Sequence, residues 1–81
     1  MSMKIKVRVK DGHTRVLKPA EKLNDINQDR EALFVMMDGS VYTGWSEGDI
    51  DEDGGFTIWR TIHGVTLPFK DVLGWCYVKG R

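Results

Sequence analysis

Ala32-Leu33-Phe34-Val35-Met36-Met37-Asp38-Gly39-Ser40-Val41-Tyr42-Thr43-Gly44-Trp45 is the stretch that decides the fold. Two apolar runs meet at Asp38-Gly39, a dipeptide suited to a tight mirror-image hairpin turn because such turns need residues that accept a positive φ. Residues 33–37 are apolar on both faces, which marks a strand covered on two sides. Residues 41–45 pair back on it. Gly44 interrupts that second strand and predicts a bulge or sharp bend, as small barrels need at their corners.

Upstream, residues 3–10 alternate strictly. Met3, Ile5, Val7 and Val9 point one way and Lys4, Lys6, Arg8 and Lys10 the other, the period of a half-buried strand. Asp11-Gly12 turns the chain into a shorter run, residues 14–18, and Pro19 ends it for want of a ladder donor. Residues 20–31 are polar, with Leu23 and Ile26 as their large apolar members, spaced i, i+3. Helical turns docking those two side chains and an irregular connection both fit this pattern.

Downstream, residues 46–55 form an acidic loop and residues 56–62 a strand, with Phe56, Ile58 and Ile62 on one face and Trp59 on the other. His63-Gly64 reads as a turn and residues 65–67 as a short strand. Residues 68–71 read as one turn of tight helix entered at Pro68. The last strand, residues 72–78, alternates Val72, Gly74, Cys76 and Val78 with Leu73, Trp75 and Tyr77. Short strands at this spacing, with Gly-rich turns and no long helix, imply an all-β sandwich or small barrel.

From residue 32 on, the chain resembles the small β-barrels of the Sm-like and SH3-like type. The apolar strand 33–37, Asp38-Gly39, then Val41-Tyr42-Thr43-Gly44 look like the first Sm-like motif. The helical turn before the final strand is similar to that of SH3-like barrels. The expected architecture is one all-β domain over residues 1–81: an extra N-terminal β-hairpin (3–18), a polar linker (19–31) and a strongly bent five-stranded barrel (32–78). The Sm-like resemblance implies a ring-shaped oligomer that binds single-stranded RNA. Its RNA contacts sit in the loop after the second strand, at an Asp and an Asn, and at an Arg-Gly before the fifth strand. Here that loop has Asp49 but no Asn, and the later dipeptide is His63-Gly64.

With 81 residues the chain is one domain, and a domain this small hides only about 60% of the surface its unfolded chain exposes. Cys76, the one cysteine, cannot form an internal disulfide, so a reducing compartment is expected. Residues 1–6 lack the apolar stretch of a signal peptide, and no run approaches the ~20 apolar residues of a membrane helix. These features lead to the expectation of a cytoplasmic protein without membrane partners. Net charge is zero, but it is segregated: residues 1–22 carry seven Lys/Arg against two acids, and residues 23–55 carry nine acids against Arg30. Such segregation fits internal charge matching, head-to-tail self-association or a basic face kept for a partner.

Three constellations could carry function. Asp49-Ile50-Asp51-Glu52-Asp53-Gly54 opens like a calcium loop, with Asp49, Asp51 and Asp53 as alternate carboxylates, but Arg60 stands at the twelfth place where a bidentate Glu is needed. Otherwise it is a solvated loop whose charges discourage pairing between molecules. The basic stripe Lys4, Lys6, Arg8 and Lys10, with Arg15 and Lys18 nearby, spaces charges ~7 Å apart, close to the phosphate repeat of a nucleic-acid strand. It lacks interleaved aromatics, and the solvent face of an edge strand guarded by lysines is the reading favoured over it. Finally, Trp59 is out of phase with its strand's core residues, and Leu73, Trp75 and Tyr77 share a face opposite a second apolar face. One interior cannot take both faces. The N-terminal hairpin, another subunit or a partner covers the other one.

Catalysis finds no motif. His13 and His63 flank turn glycines, and Cys76 reads as a buried hydrophobe. No cofactor or zinc site is expected. The leading expectation is a non-enzymatic interaction module that self-associates or docks another protein through Trp59, Trp75, Tyr77 and Leu73. Nucleic-acid binding through Lys4, Lys6, Arg8, Lys10 and Arg15 is the alternative, followed by weak calcium binding at Asp49, Asp51 and Asp53.

Overall fold

A computed structural model describes residues 5–8 and 14–78. Seven strands run through the described residues: β1 (Ile5–Arg8), β2 (Thr14–Pro19), β3 (Ala32–Met36), β4 (Val41–Ser46), β5 (Gly55–Arg60), β6 (His63–Pro68) and β7 (Val72–Tyr77). They pair antiparallel in the order β1-β2-β7-β3-β4-β5-β6, so β1 and β6 are the edges. Two short 3-10 helices, Ala20–Asp25 and Phe69–Asp71, precede β3 and β7. None of the described helices is long and apolar enough to cross a membrane.

β3 is buried along its whole length, and its alternating side chains serve two cores. Ala32, Phe34 and Met36 join Phe56, Ile58, Leu67, Val72 and Trp75 in the first core. Leu33 and Val35 join Leu17 in the second, with Val41, Leu73, Cys76 and Val78 packed around them. Leu67 of β6 and Val72 and Trp75 of β7 share the first core, so the sheet bends around it, but among the described residues no ladder joins β6 to β7 and the sheet is not closed into the expected five-stranded barrel. The Phe34 and Phe56 rings, from strands two apart in the order, lie 5.5 Å apart across that interior. Among the described residues, Leu17 of β2 is the hairpin's buried contribution to the second core. The N-terminal hairpin thus helps cover the second apolar face, while the side chains of Met3, Ile5, Val7 and Val9 lie outside the described residues.

The bend expected at Gly44 is present. β4 pairs with β3 up to Gly44 and with β5 through Trp45 and Ser46. A Cβ at Gly44 would stand 2.2 Å from Ile58 Cγ2 and 2.7 Å from the Trp59 carbonyl. Only glycine lets the two strands approach so closely at the corner.

Several local expectations are corrected. The Asp38-Gly39 turn is not the two-residue mirror-image type, because Asp38 keeps a negative φ and only Gly39 (φ 91°) is left-handed. Gly39 N–H donates to the Met36 carbonyl and Met36 N–H to that of Ser40, a wider turn closed by one left-handed glycine. The acidic loop repeats the construction: Gly54 N–H donates to the Asp51 carbonyl and Asp51 N–H to that of Gly55.

The β5–β6 turn is Thr61-Ile62 rather than His63-Gly64, because β5 stops at Arg60, which pairs with His63. Ile62 is therefore not a core residue and is 86% exposed.

In β7 the register against β3 slips: Val35 faces Gly74 while Met36 faces Val72, leaving Leu73 as an unpaired extra residue. One extra residue reverses the strand's phase. Leu73 therefore packs in the second core with Cys76 and Val78, while Trp75 and Tyr77 turn to the first. Of the two readings of the linker, the structure adopts helical turns, with Leu23 and Ile26 buried in the first core.

Candidate protein-docking face

Past the corner at Gly44, β4 leaves β3 and pairs with β5. Trp45 of β4 and Trp59 of β5 are register partners there, so their side chains stand side by side on one face. They are 39% and 46% exposed, unlike Trp75, Phe34 and Phe56, which fill the interior. The Trp59 ring lies across its own partner, Gly64, where a Cβ would come within 2.9 Å of indole Cζ3. A bare glycine thus gives the ring a flat seat. Next to it, the paired Thr57 and Thr66 hydroxyls stand 3.4 Å apart.

Grooves flank this pair on both sides. One runs between the two tryptophans and Gln28, Asp29, Ser46 and Glu47. Separate grooves sharing some of its walls lie past Trp59, at Asp49, Ile50, Asp51 and Thr57, and past Trp45, at Arg30, Glu31, Tyr77 and Val78. Among the described residues lining these grooves, Asp29, Glu31, Glu47, Asp49 and Asp51 are acids and Arg30 is a base.

Local structure puts those acids in place. Asn27 N–H donates to the Tyr77 hydroxyl (3.0 Å), Val78 N–H donates to the Glu31 carbonyl (3.0 Å), and the Arg30 guanidinium stacks 3.8 Å from the Tyr77 ring. These contacts pin residues 27–31 to the end of β7, and a turn at Asn27 places Asp29 beside Trp45. On the other flank Ser46 Oγ accepts from Gly48 N–H at 3.0 Å and shapes the start of the acidic loop.

The site residues expected from the sequence fare differently. Trp59 is on the exposed face. Trp75 is not: it is wholly buried, because the phase shift at Leu73 turns it inward, and its indole N–H finds no acceptor among the described residues. Leu73 packs in the second core. Tyr77 is half-buried, edge-on to Trp75 at 5.3 Å, and serves to anchor the linker.

The carboxylates of Asp49, Asp51 and Asp53 do not converge, and no group of three His, Cys, Asp or Glu side chains among the described residues is placed to hold a metal ion. Asp51 Oδ1 instead accepts from the N–H groups of Asp53 and Gly55, at 3.0 and 2.9 Å, and closes its own loop. Of the basic stripe, Lys4 and Lys10 lie outside the described residues. Register places Lys6 opposite Val16 and Arg8 opposite Thr14, whereas Arg15 stands opposite Val7, one position out of phase with both. Lys18 Nζ lies 5.5 Å from the Trp75 ring centre.

Trp45 was not singled out by sequence reasoning, nor were Asp29 and Glu47. Alternation within β4 sets Trp45 apart from Gly44 and Ser46, but only the β4–β5 register brings it beside Trp59. No family model, no curated protein and no solved structure matches the chain.

Proposed function

We propose that this chain is a non-enzymatic interaction module that docks protein on the face centred on Trp59 and Trp45. The observation that carries this reading is the adjacency of two large exposed aromatics beside an open furrow, on a sheet whose core is complete without them. Trp is a favoured interface anchor because it brings large apolar area at low cost in side-chain entropy. The bent run β7-β3-β4-β5-β6, its corner at Gly44 and the helical turn before β7 support the kinship with small Sm-like or SH3-like barrels. Kinship of that kind supplies a scaffold and not an activity.

The test compares the chain with a Trp45→Ser/Trp59→Ser double variant by light scattering and by affinity capture on immobilised protein. Neither tryptophan belongs to a core, but each is more than half buried, so the double variant should lose about 2–4 kcal/mol and is compared where circular dichroism shows it folded. The expected result is association by the parent alone, with copies of itself or with a captured protein. Equal behaviour of the two would place the interaction elsewhere and overturn the reading.

A further inference from the structure

We propose that the furrow beside Trp45 and Trp59 receives a cationic side chain, arginine foremost, carried by an extended segment of another protein. This rests on the docking reading above and names its partner chemistry. Charge complementarity is the first ground. Among the described residues, five acids line the grooves around the tryptophan pair against one base, Arg30, whose guanidinium stacks on Tyr77. Such a rim repels phosphate and favours a cation.

The second ground is the kind of surface the rim surrounds. A cation over an indole face is held by the ring quadrupole, and Trp is the strongest of the aromatic partners. A guanidinium adds planar stacking and paired donors for a carboxylate, which an ammonium lacks. Among the described residues a guanidinium makes this contact at Tyr77, where Arg30 lies 3.8 Å from the ring beside the same grooves, closer than Lys18 Nζ at 5.5 Å from the Trp75 ring. Trp45 and Trp59 offer two more rings, with Asp29 and Glu47 beside them.

The experiment follows the three indole N–H resonances during titration with capped heptapeptides alternating glycine with arginine, lysine, glutamine or glutamate. The expected result is that the arginine peptide shifts Trp45 and Trp59 and leaves buried Trp75 as an unmoved reference. Lysine should bind several-fold more weakly, and glutamine and glutamate not at all. Trp59→Ala should weaken binding about tenfold. Asp29→Asn/Glu47→Gln, which touches no core residue, should weaken it comparably, and raised salt should do so progressively.

Equal binding of the glutamine or glutamate peptide would overturn the cationic partner while leaving the docking face in place. So would a dimer that dissociates in the Trp45→Ser/Trp59→Ser variant, since the occupant would then be a second copy. Absence of any shift with the arginine peptide, or shifts indifferent to both sets of substitutions, would overturn the proposal outright.

Discussion

Thr61 is the one non-glycine residue with a positive φ (56°) among those described. A β-branched side chain is poorly suited to that region, and its hydroxyl turns back onto the Arg60 carbonyl. The turn accepts this strain because the pairing of Arg60 with His63 leaves only two residues to reverse the chain. Asparagine tolerates left-handed backbone far better. Thr61→Asn should therefore stabilise the protein by about 0.5–1 kcal/mol, seen as a higher melting temperature with unchanged binding. A lower melting temperature would mean that the hydroxyl contact outweighs the backbone strain. The tryptophans also differ at this scale: Trp59 was legible as an out-of-phase aromatic, whereas Trp75 read as its equal and is a core residue. Alternation distinguishes faces only while a strand keeps its phase.

At the scale of elements, the β3–β4 hairpin is closed by Asp38 as much as by Gly39. The Ser40 hydroxyl, and then its N–H at 2.8 Å from Oδ1, hold the Asp38 carboxyl below its ordinary range. A carboxylate whose folded pKa is depressed stabilises the fold above its unfolded value of about 4. That contribution is lost as pH falls through the lower folded value. The expected outcome is that the chain outlasts Asp38→Asn near pH 6 by a margin that shrinks steadily toward pH 3, measured as the difference in melting temperature. A margin constant with pH would exclude the charge as its source. Hairpin and turn glycine were both legible in the sequence. The turn type was not, because Asp-Gly serves several turns and only the ladder on either side selects one.

For the whole molecule the corner at Gly44 decides whether the sheet can curl around the first core. A methyl there would meet Ile58 Cγ2 and the Trp59 carbonyl, one of them backbone that cannot swing aside. Gly44→Ala should cost about 2–3 kcal/mol. It should also disturb the docking face, because Trp45 follows the corner directly and owes its pairing with Trp59 to it. A melting temperature within a degree or two of the parent would show that the strands can part without loss.

The sequence by itself determined the all-β class, the strand content, the bend at Gly44 and the two-sided burial expected for residues 33–37 as far as Met36, Met37 being 65% exposed in the turn. Each is written in local alternation or in a glycine whose missing side chain has a local meaning. Tertiary structure alone decided which apolar face goes where. The bulge at Leu73 exchanges the inward and outward residues of β7, and Leu17 of β2 supplies cover from a distant part of the chain. It also gathered Trp45, Trp59, Asp29 and Glu47, which lie on two strands, a linker and a loop. Their meeting depends on register between strands, and register is a property of the assembled sheet that no single stretch of sequence contains.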